Sequence, residues 1–227
     1  MDAEKIASAG LPVLCVDTCS ILDILRDPTR ESCKPHEMQA AVDLVSKAET
    51  NRAILLMAEQ VSIEFSSHDQ DVQDESLRQL KKFRENAERI NELSGVFGAA
   101  SAVNLIHLDT HVARARIVVG RWVQQLQIVV PGPTVLTKAF NRVNAAIAPA
   151  RRGKDSFKDC VVYETYLEAV DALRNSGLTT PIVFLSSNTK EYMTEGGKLK
   201  AEIEAEFKAM NLDYAPNMAA AKNSLGL

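Results

Sequence analysis

Three short apolar runs constrain this chain more than anything else in it: residues 11–16 (LPVLCV), 53–58 (AILLMA) and 181–185 (PIVFL). Each is too brief for a helix and shows no alternation of polar and apolar positions. Each therefore reads as a strand buried on both faces. The segments between them carry helical periodicity, and buried strands alternating with helices define a parallel sheet covered on both sides. The expectation is an α/β chain of three layers, α/β/α, with a central parallel sheet. It forms a single domain over residues 1–227, with an inserted helical segment at about 69–148.

The helices follow from spacing and punctuation. From Ser20 the positions Ile21, Leu22, Ile24 and Leu25 have helical spacing until Asp27 and Pro28 stop them. Residues 35–48 open on a proline suited to a first helical turn, and a helical run covers 59–65. From Asp69 the chain turns strongly charged, with Val72, Leu77, Leu80, Phe83, Ile90 and Leu93 on one stripe, as in a long amphipathic helix. Residues 110–130 and 134–148 read as two helices separated by Pro131, Gly132 and Pro133, followed by a loop at 149–154. A helix is expected over 155–173, a turn and short helix over 186–192, and a charged helix over 197–210. The last dozen residues carry no clear assignment.

With 46% hydrophobic residues the chain can bury a sizeable core. A formal charge of -4 excludes a protein that coats nucleic acid through a global positive field, though not one with a local basic rim. Acidic Asp2 and Glu4 and the lack of an apolar stretch near Met1 argue against a signal peptide. No apolar run is long enough to span a bilayer, so the location expected is cytoplasmic. Cys15, Cys19, Cys33 and Cys160 form no CxxC pair and read as structural thiols rather than a zinc cluster or a disulfide framework.

Ligands in such sheets bind beyond the carboxyl ends of the strands. Four acids fall there: Asp17 after the first run, Glu64 in the helix after the second, and Asp155 with Asp159 in the helix before the third. Asp155 and Asp159, four residues apart, would share a helix face and repel, and hard Mg²⁺ or Mn²⁺ would relieve the repulsion. The pair equally suits a helix cap and a first-turn carboxylate. Asp17 alone is open between a phosphoryl-accepting nucleophile, a metal ligand and a helix cap. A haloacid-dehalogenase phosphatase would want a second Asp where Cys19 stands. A phosphorylated receiver could use Lys190 but lacks its paired acids.

Arg151, Arg152, Lys154 and Lys158 place four positive charges in eight residues around the last two acids, where they would steer a phosphate. Arg114, Arg116 and Arg121 form a second basic stretch, and Trp122 reads as core rather than a stacking platform. His107 and His111 lack the glutamate of a helical zinc pair, Gly153–Lys154 lacks the rest of a phosphate loop, and no GxSxG elbow occurs.

The ordered set resembles one known family. VLCVDTCSILDILR looks like the opening strand and turn of PIN-domain nucleases, VSIEF like their second acidic position, KDSFKDCVVYETYLEAV like the third, and VFLSSNTKEY like the last motif. The resemblance implies that Asp17, Glu64 and Asp159 bind metal, with Asn188 and Ser186 at the fourth position. Asp155 is an additional candidate, because Lys154, Asp155 and Asp159 are arranged as in a larger, helix-rich branch of the family. Asn188 stands where an Asp is usual and lowers the site's charge by one. Thr18 and Ser20 would support Asp17 or a metal-bound water by hydrogen bonds, and they equally suit an ordinary helix cap. The activity implied is endoribonucleolytic hydrolysis of RNA, usually single-stranded, by carboxylate-held Mg²⁺ or Mn²⁺ and an activated water. The role implied is that of a toxin restrained by an antitoxin or regulatory protein, or of an RNA-processing enzyme, with a homo-oligomer compatible. The alternative is a non-catalytic PIN-like module that binds RNA or protein.

Overall fold

In the computed structural model, which describes residues 1–99 and 104–227, the three apolar runs are strands at the centre of one parallel sheet. They are β1 (Val13–Val16), β2 (Ile54–Ala58) and β4 (Ile182–Leu185), and every residue of all three is buried. The sheet has five strands in the order β3-β2-β1-β4-β5, all parallel, so β1 lies between β2 and β4 with Val16 level with Met57 and Leu185.

Both edge strands depart from the expected elements. β3 (Leu126–Val129) pairs with β2, although residues 110–130 carry one helical pattern; the helix α5 (His111–Gln125) stops short and the next four residues join the sheet. The buried positions Val112, Val119 and Trp122 keep a helical phase that nothing interrupts before Pro131. Only the β-branched tract Ile128, Val129 and Val130 marks the change. The segment 69–148 is therefore not wholly helical: it returns a strand to the sheet. β5 (Leu212–Ala215) follows α9 (Ala201–Met210) directly, because Asn211 closes the helix in the left-handed region at φ 49°. That helix begins at Ala201, four residues later than its charge pattern suggests.

At the amino end, α1 (Ala3–Ala9) is capped by Asp2 and ended by Gly10 in the left-handed region, a helix its capping residues announce. The turn after β1 holds only the five-residue α2 (Thr18–Leu22), and α3 (Pro35–Glu49) follows. The runs at 59–65 and from 69 onward merge into one helix, α4 (Glu59–Val96), whose 38 residues span about 57 Å at 1.5 Å per residue. Its inner turns bury Val61, Phe65 and Leu80, while Ile90, Leu93 and Val96 near its far end are exposed. Arg116 of α5 pairs with Asp69 of α4 at 2.9 Å.

The remaining helices are α6 (Val135–Ala145), α7 (Phe157–Asn175), α8 (Thr189–Tyr192) and α10 (Met218–Ser224). α3 packs with α5 and α10, and α7 packs with α1, α6 and α9, so helices cover both faces of the sheet. Trp122 is fully buried and its Nε1 donates to Ala41 O at 3.1 Å, as a core residue should.

α7 buries residues on almost every side because it lies between the sheet and the helices α1, α4, α6 and α9. Its buried Glu164 is met by the buried guanidinium of Arg142 from α6, which also bonds Ala148 O and Glu206 and lies 4.6 Å from the Tyr163 ring centroid. Tyr166 carries the helix's hold on the sheet: its hydroxyl donates to Val16 O at 2.6 Å and accepts from Ala58 N at 2.9 Å. These groups sit at the carboxyl ends of β1 and β2, so one side chain fixes the middle of α7 relative to the strand ends. Among the described residues, no helix is long and apolar enough to cross a membrane.

Candidate metal centre

The strand order reverses beside β1: the chain runs outward through β2 and β3, then returns to β4 on the other side. Helices leaving β1 and β4 therefore diverge and open a crevice at the carboxyl ends of the two strands. Asp17 follows β1 directly and caps α2, with its amide donating to Leu185 O of β4 at 2.9 Å. Its exposure is only 7%. Oδ1 accepts from Thr18 N at 2.7 Å, and Oδ2 accepts from Ser186 Oγ at 2.6 Å and from Cys19 Sγ at 3.2 Å.

Burial pushes the Asp17 carboxyl above the usual range; the hydrogen bonds from Ser186, Cys19 and Thr18 pull it back, and Glu64 pushes it further up. Glu64 lies in the second turn of α4. Thr18 Oγ1 donates to its Oε2 at 3.1 Å and Gln60 Nε2 to its Oε1 at 3.0 Å, so the hydroxyl beside Asp17 orients a second acid. Ser20 is buried and its Oγ accepts from Ser187 N at 3.0 Å, and Ser186 Oγ accepts from Asn188 N at 3.2 Å. Both expected supporting hydroxyls thus tie the β1 turn to its neighbours.

Asp159 is half-buried in the first turn of α7. Its pKa is pushed up to about 7, first by burial, then by the charges of Asp17, Glu191 and Glu64, against the relief offered by Lys154. Three acids from distant parts of the chain thus act on one another. Asp155 does not join them in this way. The helix begins at Phe157 rather than at 155, so Asp155 and Asp159 do not share a helix face. Asp155 is exposed, its Oδ1 accepts weakly from Phe157 N at 3.4 Å, and it is not among the principal charges acting on Asp159. The sequence Arg151–Ser156 forms a turn instead, with Gly153 at φ 75° and Ser156 buried beneath it.

Glu191 was not among the expected acids. It lies in α8, three residues past Asn188, with 0% exposure. Its Oε1 meets Lys154 Nζ and, at 3.7 Å, Arg151 Nη1. Its Oε2 is buried and finds no hydrogen-bond partner among the described residues. The hydroxyl of the next residue, Tyr192, is likewise buried and unpartnered among the described residues, and lies in the field of Asp17 and Asp159. Glu191 was legible in SSNTKEY only as a charged residue on a short helix; nothing local says that the helix turns it inward. Arg152 and Lys158 are exposed, and so are Arg151 and Lys154 except for their contact with Glu191.

Apart from the Cys19 thiol, which burial pushes up to about 12 and so keeps protonated, the groups at this crevice that could meet an ion are oxygen donors, and buried unpartnered oxygens are uncommon in folded proteins. That chemistry fits a hard divalent cation rather than a thiolate-seeking metal. Among the described residues no three His, Cys, Asp or Glu side chains close into a cage of their own. Mg²⁺ does not require one, because it usually keeps several waters and takes only one or two carboxylates.

A parallel α/β sheet with a hydroxyl-braced acidic crevice at its switch point defines a class of three-layer α/β/α proteins. The chain belongs to one family within it: a model of the PIN domain matches residues 14–192. PIN domains are in general nucleases and typically use divalent metal ions. No curated protein and no solved structure matches the chain.

Proposed function

We propose that the protein is a metal-dependent endoribonuclease that hydrolyses single-stranded RNA in the cytoplasm. The observation that carries this reading is the convergence of Asp17, Glu64 and Asp159 from β1, α4 and α7: Thr18 bonds Asp17 through its amide and Glu64 through its hydroxyl, and the charges of Asp17 and Glu64 both bear on Asp159. Such a cluster is costly without a cation and stable with one. Mg²⁺ or Mn²⁺ bound there supplies an activated water, neutralises the developing charge and stabilises the departing oxygen. Asp17, Glu64 and Asp159 would hold it, with Asn188 as a neutral fourth donor.

The chain's own contribution is preorganisation. Ser186 and the Thr18 amide fix both oxygens of Asp17, and Thr18 with Gln60 fixes those of Glu64. Their carboxylates thus need little reordering when an ion arrives. Arg152, on the turn before α7, and Lys158, beside Asp159 in its first turn, are exposed cations available to the backbone phosphates. A toxin held by an antitoxin and an RNA-processing enzyme are both compatible with this chemistry.

The absence of a closed three-acid cage among the described residues favours, as the second reading, a module that binds RNA without cutting it. Labelled single-stranded RNA incubated with Mg²⁺, Mn²⁺ or chelator separates the two. Cleavage is expected with either ion, none with chelator, and a loss of at least 100-fold for Asp17→Asn. Cleavage that persists in chelator or in that variant refutes the enzyme; binding without cleavage selects the module.

A further inference from the structure

The acid that the fourth motif lacks at position 188 is present in the fold from another position. Glu191 is fully buried, yet only one of its two oxygens is partnered. Its partners, Lys154 and Arg151, enter from a surface turn, and their side chains remain 46% and 47% exposed. Leaving Glu191 for solvent therefore costs these cations little, whereas a buried carboxylate left without any cation is strongly unfavourable. Hydrogen bonds tie Glu191 to the same crevice: its amide donates to Asn188 O at 3.1 Å, Asn188 N donates to Ser186 Oγ at 3.2 Å, and Ser186 Oγ donates to Asp17 Oδ2 at 2.6 Å.

We propose that Glu191 is the fourth acid of the metal centre, with Lys154 and Arg151 occupying the place of the divalent cation until it binds and then turning to the RNA phosphates. The inference rests on the metal-dependent reading above. It adds that ion binding and RNA binding favour one another, because the ion releases two cations that the nucleic acid can use. Glu191 takes the charge that Asn188 does not supply, and it offers Oε1, which the two cations vacate, together with the unpartnered Oε2.

The test is Mn²⁺ binding to the full chain by titration calorimetry, without RNA. Glu191→Gln should weaken Mn²⁺ binding at least 10-fold, while Glu195→Gln, an exposed acid on the following turn, changes it less than twofold. Lys154→Ala should tighten binding at least threefold, because the competing ammonium is gone. This variant alters only a surface side chain, so it decides the matter should Glu191→Gln not fold. Wild-type affinity in Glu191→Gln, or unchanged or weaker binding in Lys154→Ala, overturns the proposal. If Asp159→Asn still abolishes binding in that case, the nuclease reading stands without Glu191. If the wild-type protein binds no Mn²⁺ at millimolar concentration, both fall.

Discussion

Replacing Asp159 by Asn should stabilise the metal-free protein at neutral pH. In the folded state this carboxyl titrates at about 7 rather than at its ordinary 3.8, chiefly because of burial and then because of Asp17, Glu191 and Glu64. Between those two values the native state holds a proton that the unfolded chain has released. Stability therefore falls as pH rises through that window and levels off above it. At 1.36 kcal/mol per pH unit the ceiling is about 4 kcal/mol, and solvent screening of this half-buried group brings the expected effect to about 1–2 kcal/mol. Asn carries no charge, so the variant lacks this slope. Urea unfolding in chelator, followed by the fluorescence of the single buried Trp122, reads it directly. The two proteins should nearly coincide close to pH 4.5 and separate in the variant's favour by pH 8. Mg²⁺ should then restore wild-type stability, because a bound cation favours the ionised carboxylate. A variant no more stable than wild type at pH 8 would refute the argument that the acids crowd one another.

Two further predictions concern the scaffold. Arg142→Ala leaves Glu164 buried without its cation and should cost about 3–5 kcal/mol in urea unfolding, whereas replacing both residues by apolar ones should cost much less. Equal losses in the single and double variants would show that packing, not charge, is what Arg142 provides. Among the four thiols, burial pushes Cys19 up to about 12, Cys160 to about 11, and Cys15 higher still. A thiol-reactive disulfide at pH 8 should therefore modify Cys33 rapidly and the others only on unfolding. Fast reaction of Cys19 would mean that the β1 turn opens readily in the native state.

The central strands were legible because burial on both faces leaves an uninterrupted apolar run, as in VLCV and IVFL. The edge strands were not, because an edge needs only one apolar side: β3 exposes Gln127 and Ile128, and its residues continue the phase of the preceding helix. Asp17, Glu64 and Asp159 could be placed from sequence because each stands at a fixed distance from a strand or opens a recognisable helix. Asp155 was misplaced because a helix start read from sequence is uncertain by a turn's fraction. Gly153 and Ser156 build a turn that moves the first helical residue to Phe157.

Residue order alone determined the layered parallel architecture and the family, and it marked Asp17, Glu64 and Asp159 as candidates, since these depend on apolar run length and on spacing along the chain. Only the folded molecule decided that Glu191 faces inward, that Lys154 and Arg151 lie against it, and that Asp155 stays outside. The reason is physical. Burial of a charge and the identity of its partner depend on how α7, α8 and the turn at 151–156 pack around the ends of β1 and β4, and neighbours along the sequence carry no record of that approach.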